Sequence, residues 1–284
     1  MIDYCKRSGG DGLLHGNNII NNGTVFGGQD TMIKLNPAYV IIPFKQLLAN
    51  CHNNVLLGLR LVEKIEKFPD PTNEEVKFIQ LLLGGRASDI RQTKELFKRW
   101  LLKNGFEDIH NCIRTTLERL MVFKAIDNQL LATPSLDIKG VEADLKTKAN
   151  KFNYPTLLDA VHTELEDTLT YEKHLETINS ARNCLVHRNG EVTRKDCNNE
   201  QKDKLIITGN RFKMFYKKGD EEVLAEVGKP GPENAALMFG AEEFKIEFSI
   251  GDKFDITLKQ FIDILNTCIF FNADVEEKLK RKKT

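Results

Sequence analysis

The chain has 284 residues, 41% of them apolar and 29% charged, and its 41 basic side chains balance its 41 acidic ones. That length buries a full core without disulfide or metal staples, and the composition is that of an ordinary soluble globular protein. A net charge of zero excludes a protein that coats nucleic acid through general electrostatics, so any RNA contact is expected to be local, in a cleft.

Residues 1–30 carry Gly9-Gly10, Gly12, Gly16, Gly23 and Gly27-Gly28 among several asparagines, which predicts a flexible N-terminal segment. Residues 31–284 read as a single domain. The stretch from Pro37 to Phe68 predicts one long helix, or two broken near Asn53-Asn54, with Pro43 in a first turn or at a kink. Pro69-Asp70-Pro71 ends it. A short helix then runs to Leu83 and stops at Gly84-Gly85. Ser88 opens the next, which is expected to end near Asn104-Gly105 and to place Trp100 in the core. Glu107–Ile126 forms a further helix, with Ile109, Cys112, Ile113, Leu117, Leu120 and Met121 at helical spacing. A weaker helix lies around Val141–Lys151. Thr156–His187 reads as helix again, straight or with a kink, with Val161, Leu165, Leu169, Leu175, Ile178 and Leu185 near one stripe.

The pattern changes after Gly190. Leu205–Ile207, Phe212–Tyr216, Val223–Val227 and Phe244–Ile250 alternate and are rich in β-formers. Turn signals separate them at Gly209-Asn210, Lys218-Gly219-Asp220 and Gly228–Pro232. From Ile256 to about Lys282 the chain returns to helix. The fold class expected is mainly α (α+β): a helical bundle with a small antiparallel β insertion, at about 203–250, before the closing helix.

The most chemically loaded stretch is Arg182-Asn183-Cys184-Leu185-Val186-His187, followed by Arg188-Asn189-Gly190. Arginine grips phosphate in planar, forked geometry, and histidine titrates closest to working pH. Arg182 follows Leu175 by seven positions and Ile178 by four, so it falls on the apolar stripe. A guanidinium there is costly unless something pairs with it. A cleft or subunit interface that receives phosphate would supply the partner. The competing reading pairs Arg182 with Glu172, Glu176 or Glu191 and makes His187 a helix-end residue favoured by the dipole. In an ideal helix positions 182 and 187 diverge by about 140°, so they converge only if the helix loosens near Val186 or a second subunit closes the cleft. Arg188 and Arg194 are candidates for extra phosphate contacts.

Other signals are plainer. Cys184, His187 and Cys197 lack a fourth ligand for zinc, and no metal is expected. No Walker A loop or Gly-x-Ser-x-Gly elbow is present, so no cofactor is predicted. His162 with Glu164 and Glu166, His174 with Glu176, and His110 beside Asn111 read as solvated surface. The six cysteines are scattered without a C-x-x-C pair, no apolar run reaches the roughly 18–20 residues of a membrane span, and the N-terminus lacks a signal-peptide pattern. A cytoplasmic protein with reduced thiols and no membrane partner is expected.

The motif resembles that of the HEPN domains, helical bundles that carry Arg, a polar residue (often Asn), a few further positions and His near a helix end. Arg182, Asn183 and His187 fit with four intervening residues, and Leu185-Val186 before the histidine and Asn189-Gly190 after it also suit the family. The β insertion departs from the minimal bundle. The resemblance implies a homodimeric, metal-independent endoribonuclease of the kind found in phage defence and toxin systems. His187 would then be the general acid or base, Arg182 would stabilise phosphoryl charge, and Asn183 would orient His187 or the phosphate. RNA would be the substrate, and an antitoxin or regulatory protein a further partner. The alternative is a catalytically silent HEPN dimer that binds a nucleotide, an RNA or a protein.

Overall fold

The computed structural model describes residue 19 and residues 35–66, 89–132, 137–165, 167–218, 221–225, 231–233 and 235–280. The N-terminal 1–30 segment (except Ile19) and the short helix expected before Leu83 lie outside the described residues.

Helix α1 (Ala38–Lys64) is continuous through both Pro43 and Asn53-Asn54. Pro43 has no N–H to offer the carbonyl four residues back. That carbonyl, of Tyr39, instead accepts a hydrogen bond from Arg119 Nη1 at 2.9 Å, and the same guanidinium lies 5.2 Å from the Tyr39 ring centroid. A neighbouring helix has supplied the donor that the proline removed.

Helix α2 (Ile90–Ala132) is one 43-residue rod where the sequence predicted two. Gly105 does not end a helix. It marks a close approach: a Cβ there would stand 2.5 Å from Val55 Cγ2 and 2.9 Å from Phe261 Cε2. Trp100 is not in the core; it is 55% exposed and stacks on Phe97, with ring centroids 5.4 Å apart. Leu96 shares this uncovered face.

Two short helices follow, α3 (Ile138–Lys151), capped by Asp137, and α4 (Tyr154–Glu164), capped by Asn153 with Pro155 in its first turn. The helix expected over 156–187, straight or kinked, is two helices with a break between Glu164 and Glu172. The break before α5 (Glu172–His187) is fixed by Asp274, whose carboxylate accepts from the Thr170 backbone N–H at 2.8 Å and hydroxyl at 2.9 Å.

Strands β1 (Lys204–Lys218), β2 (Glu221–Leu224) and β3 (Ala236–Ser249) form an antiparallel sheet in the order β2-β1-β3. Gly209-Asn210 is not a turn but lies inside β1. The Asn210 backbone N–H donates to Thr267 Oγ1 at 3.0 Å, and a side chain at 209 would collide with Thr267 and the Phe244 ring. The glycine lets the strand press against the closing helix α6 (Leu258–Leu279), whose N-terminus carries a capping box of Thr257 and Gln260.

The core joins the six helices to β1 and β3, with Phe44, Phe106, Leu117, Leu157, Ile178, Phe261 and Phe271 among its residues, and β2 stays exposed. The fold is mainly α, with a small antiparallel sheet inserted before the closing helix. In the half of the sheet near the bundle, Leu205, Ile207, Phe244, Ile246 and Phe248 are buried. In the far half Phe212, Met214, Leu237, Met238 and Phe239 are exposed, while Phe215 and Tyr216 are half-buried.

Candidate functional site

Helix α5 carries the Arg–His motif at its C-terminal end. Its buried positions move along its length. Leu175 and Ile178 are covered first, then Ala181, Cys184 and Leu185. At about 100° per residue this turns the covered face toward the sheet and the 188–198 loop. Arg182 is therefore half-buried at the border of the core, not within it. The helix stays regular to its end, because the Arg188 N–H still bonds the Cys184 carbonyl at 3.1 Å. It does not loosen at Val186, so Arg182 and His187 of one copy keep their divergence of about 140°. The chain then turns away through left-handed backbone at Asn189 (φ 50°) and Gly190 (φ 72°).

The three motif side chains differ in their surroundings. Arg182 Nη1 donates to Asn183 Oδ1 at 3.5 Å, and among the described residues no carboxylate lies within ion-pair distance of it. The glutamates considered as partners do not take that role. Glu172 contacts His162 at 3.1 Å, Glu191 pairs with Lys253 at 2.8 Å, and Glu176 is exposed. Asn183 is half-buried, whereas His187 is exposed and free of hydrogen bonds to described residues.

The accessory arginines also differ. Arg188 is committed to Asp196 through a bidentate fork: Nε donates to Oδ2 at 2.6 Å and Nη2 donates to Oδ1. The Thr193 N–H and hydroxyl both reach the same carboxylate at 2.8 Å. Burial alone would push the Asp196 carboxyl up, but the Arg188 guanidinium and the Thr193 donors outweigh it and hold it below its ordinary value. In this arrangement Arg188 pins the loop that follows the motif. Arg194 is exposed, with no ion pair or hydrogen bond among the described residues.

Sequence reasoning missed the polar layer beside Arg182. His110 is not at the surface; it is 4% exposed, and its Nε2 meets Asn179 Oδ1 at 3.1 Å. Asn179 precedes Arg182 by one turn on the same face of α5. Burial pulls the His110 pKa down to about 4, and the positive charge of Arg182 adds to the effect. The imidazole is thus neutral at working pH and does not repel the guanidinium. Since Asn179 Oδ1 accepts, the His110 proton is assigned to Nε2. The only available signal was position: residue 110 sits between Ile109 and Cys112 on a buried face. His174 was likewise read as solvated. It is half-buried, and its Nδ1 meets Thr208 Oγ1 at 2.8 Å, tying α5 to β1.

Cys184 and Cys197 are both buried while His187 is exposed, and burial pushes the Cys184 thiol up to about 11. Among the described residues no group of three or more His, Cys, Asp and Glu side chains is placed to hold a metal ion. A cavity of about 670 Å³ lies away from the motif, between α1, α2 and residues 255–258. Around it Lys98 pairs with Glu95 at 3.0 Å and Arg99 with Asp255 at 2.9 Å. The motif itself lies at an open helix end. No described helix is long and apolar enough to cross a membrane. No protein-family model, curated protein or solved structure matches the chain at a significant level.

Proposed function

We propose that this protein is a metal-independent endoribonuclease of HEPN type, with Arg182 and His187 as its catalytic pair and Asn183 as the residue that orients the guanidinium. One observation carries the reading. The described half-buried arginines other than Arg182 each meet a carboxylate or a backbone carbonyl: Arg114 with Glu118, Arg119 with Tyr39, Arg188 with Asp196, Arg211 with Glu242. Arg182 meets only a side-chain amide. A guanidinium partly withdrawn from water and left without an anion is a receptor for one.

In this reading a ribose–phosphate linkage lies against the end of α5, with a phosphoryl oxygen on Arg182. His187 takes the proton from the 2′-hydroxyl as the 2′-oxygen attacks phosphorus. The bond from phosphorus to the 5′-oxygen breaks, and that oxygen receives a proton from a second imidazole. The products are a 2′,3′-cyclic phosphate and a 5′-hydroxyl. The two side chains of one copy diverge, so the facing group comes from a second copy of the chain. Arg194 is available as an outer phosphate contact.

The test is RNA incubated with the protein in EDTA. Arg182→Ala and His187→Ala are each expected to lower cleavage by about 100-fold or more while leaving thermal unfolding unchanged. Cleavage that survives His187→Ala overturns the assignment. The divergence of the two side chains within one copy also favours a second reading, a silent module that binds a nucleotide or RNA through Arg182. RNA bound but not cut by the wild type, with binding lost in Arg182→Ala, selects it. Whether an antitoxin or regulatory protein governs the site is read by the same assay run with cell extract added.

A further inference from the structure

Trp100 is the only tryptophan of the chain, and more than half of it is open to solvent. With the exposed Phe97 stacked on it, ring planes 15° apart, it forms an aromatic patch of the kind that marks an interaction site. Arg99 and Lys103 stand on either side of Trp100 along α2, four positions apart and on one face. All three line a cavity of about 210 Å³ together with Lys253, Phe254 and Asp255.

The lining is positive: Arg99, Lys103 and Lys253 against Asp255. Arg99 meets Asp255 at 2.9 Å, and Lys253 meets Glu191 at 2.8 Å. Lys103 is half-buried, and among the described residues its ammonium makes no ion pair or hydrogen bond. As at Arg182, a cation partly withdrawn from water lacks its anion. In a chain of zero net charge, this is a local excess of positive charge beside an open aromatic ring. The cavity also adjoins the motif. Glu191 and Lys253 form a β-bridge, and the Phe254 N–H donates to the Gly190 carbonyl at 2.7 Å. His187 lies three residues before Gly190, so their Cα atoms are at most about 11 Å apart.

An ammonium binds phosphate, and an indole stacks on the face of any base. In a duplex those faces are covered by neighbouring bases, so a base that lies on Trp100 is an unpaired one. We propose that this cavity is a subsite for an unpaired nucleotide adjoining the one that is cut, with its base on Trp100 and its phosphate on Lys103, which makes single-stranded RNA the substrate. The placement beside the cleaved bond rests on the nuclease reading above. Binding at Trp100 is measured without cleavage, so the two can fail separately.

The experiment uses the full chain with His187→Ala, in EDTA, so that the RNA stays intact. It reads the fluorescence of Trp100, which no other tryptophan masks. A single-stranded RNA is expected to quench the emission to saturation, and a duplex of the same sequence to leave it unchanged. In fluorescence anisotropy with the labelled single strand, Trp100→Ala is expected to weaken binding by about 10-fold and Trp100→Phe by less. Lys103→Gln is expected to lower the slope of log affinity against log salt by about 0.7. Emission unchanged by an RNA that the wild type cuts overturns the subsite and leaves the nuclease standing. Quenching by an RNA that the wild type does not cut overturns the nuclease and leaves the subsite. Neither quenching nor cleavage overturns both. Equal quenching by the duplex, or an unaltered affinity in Trp100→Ala, overturns the subsite. So does a particle mass that falls in Trp100→Ala without RNA, which would make this face a contact between copies of the chain.

Discussion

Arg182 and Arg188 stand six positions apart, on either side of the end of one helix, and both are half-buried. Their fates differ. Arg188 forms a fork with a carboxylate that is itself fully buried, and Thr193 completes the cage. Arg182 touches the amide of its neighbour and lies beside a neutral histidine. Partial burial of a cation thus carries no functional meaning by itself. What matters is whether the fold has placed an anion within reach. At position 188 it has, and the arginine is architecture. At position 182 it has not, and the arginine is available.

Acid titration is expected to show the largest effect on stability, and on the Arg182 side. His110 has a folded pKa of about 4 against an ordinary value of 6.5, so the unfolded chain binds its proton first. Its contribution is complete above about pH 6.5 and is lost as the pH falls toward about 4, amounting to about 3 kcal/mol. Urea unfolding of the wild type against His110→Gln at several pH values should show that slope in the wild type alone. Parallel curves would refute it.

The Arg188 side is tested by Asp196→Ala, which strands a partly buried guanidinium and two Thr193 donors. It is expected to cost about 2–3 kcal/mol, discounted for the exposure of Arg188. Arg188→Leu, which leaves the carboxylate with Thr193 alone, is expected to cost about 2 kcal/mol by chemical denaturation. A smaller effect in either variant would make the two arginines alike. Arg182→Leu should lie within about 0.5 kcal/mol of the wild type, or be stabilising, while abolishing RNA cleavage. Its smallest consequence should appear by NMR titration. Burial, not Arg182, is the larger cause of the low His110 pKa, so the leucine variant should raise it only slightly. A large rise would mean that charge dominates.

Much of the fold was legible. The spacing of Ile109, Cys112, Ile113, Leu117 and Leu120 marked α2, and the return to helix expected from Ile256 is α6. The errors concentrate at glycines. Gly105 and Gly209 read as breaks, yet both are sites where another element comes too close for a side chain. A glycine chosen for a left-handed turn and one chosen for a close approach are identical in a sequence; Gly190, at φ 72°, is of the first kind. Of the candidate site, the identities of Arg182, Asn183 and His187 were legible. Their exposure and partners were not, because burial depends on what packs against α5 from elsewhere.

The sequence by itself determined which stretches become helix, that a β segment precedes the last helix, and which side chains could carry chemistry. Those properties follow from local periodicity and residue type. Only the tertiary structure decided that Arg188 is paired and Arg182 is not. It also decided that His110 is buried against Asn179, 69 positions away, and that Gly209 yields to a helix residue, Thr267, far along the chain. The reason is physical: the cost of a charge or of a missing side chain is set by the neighbours that folding brings from distant parts of the chain.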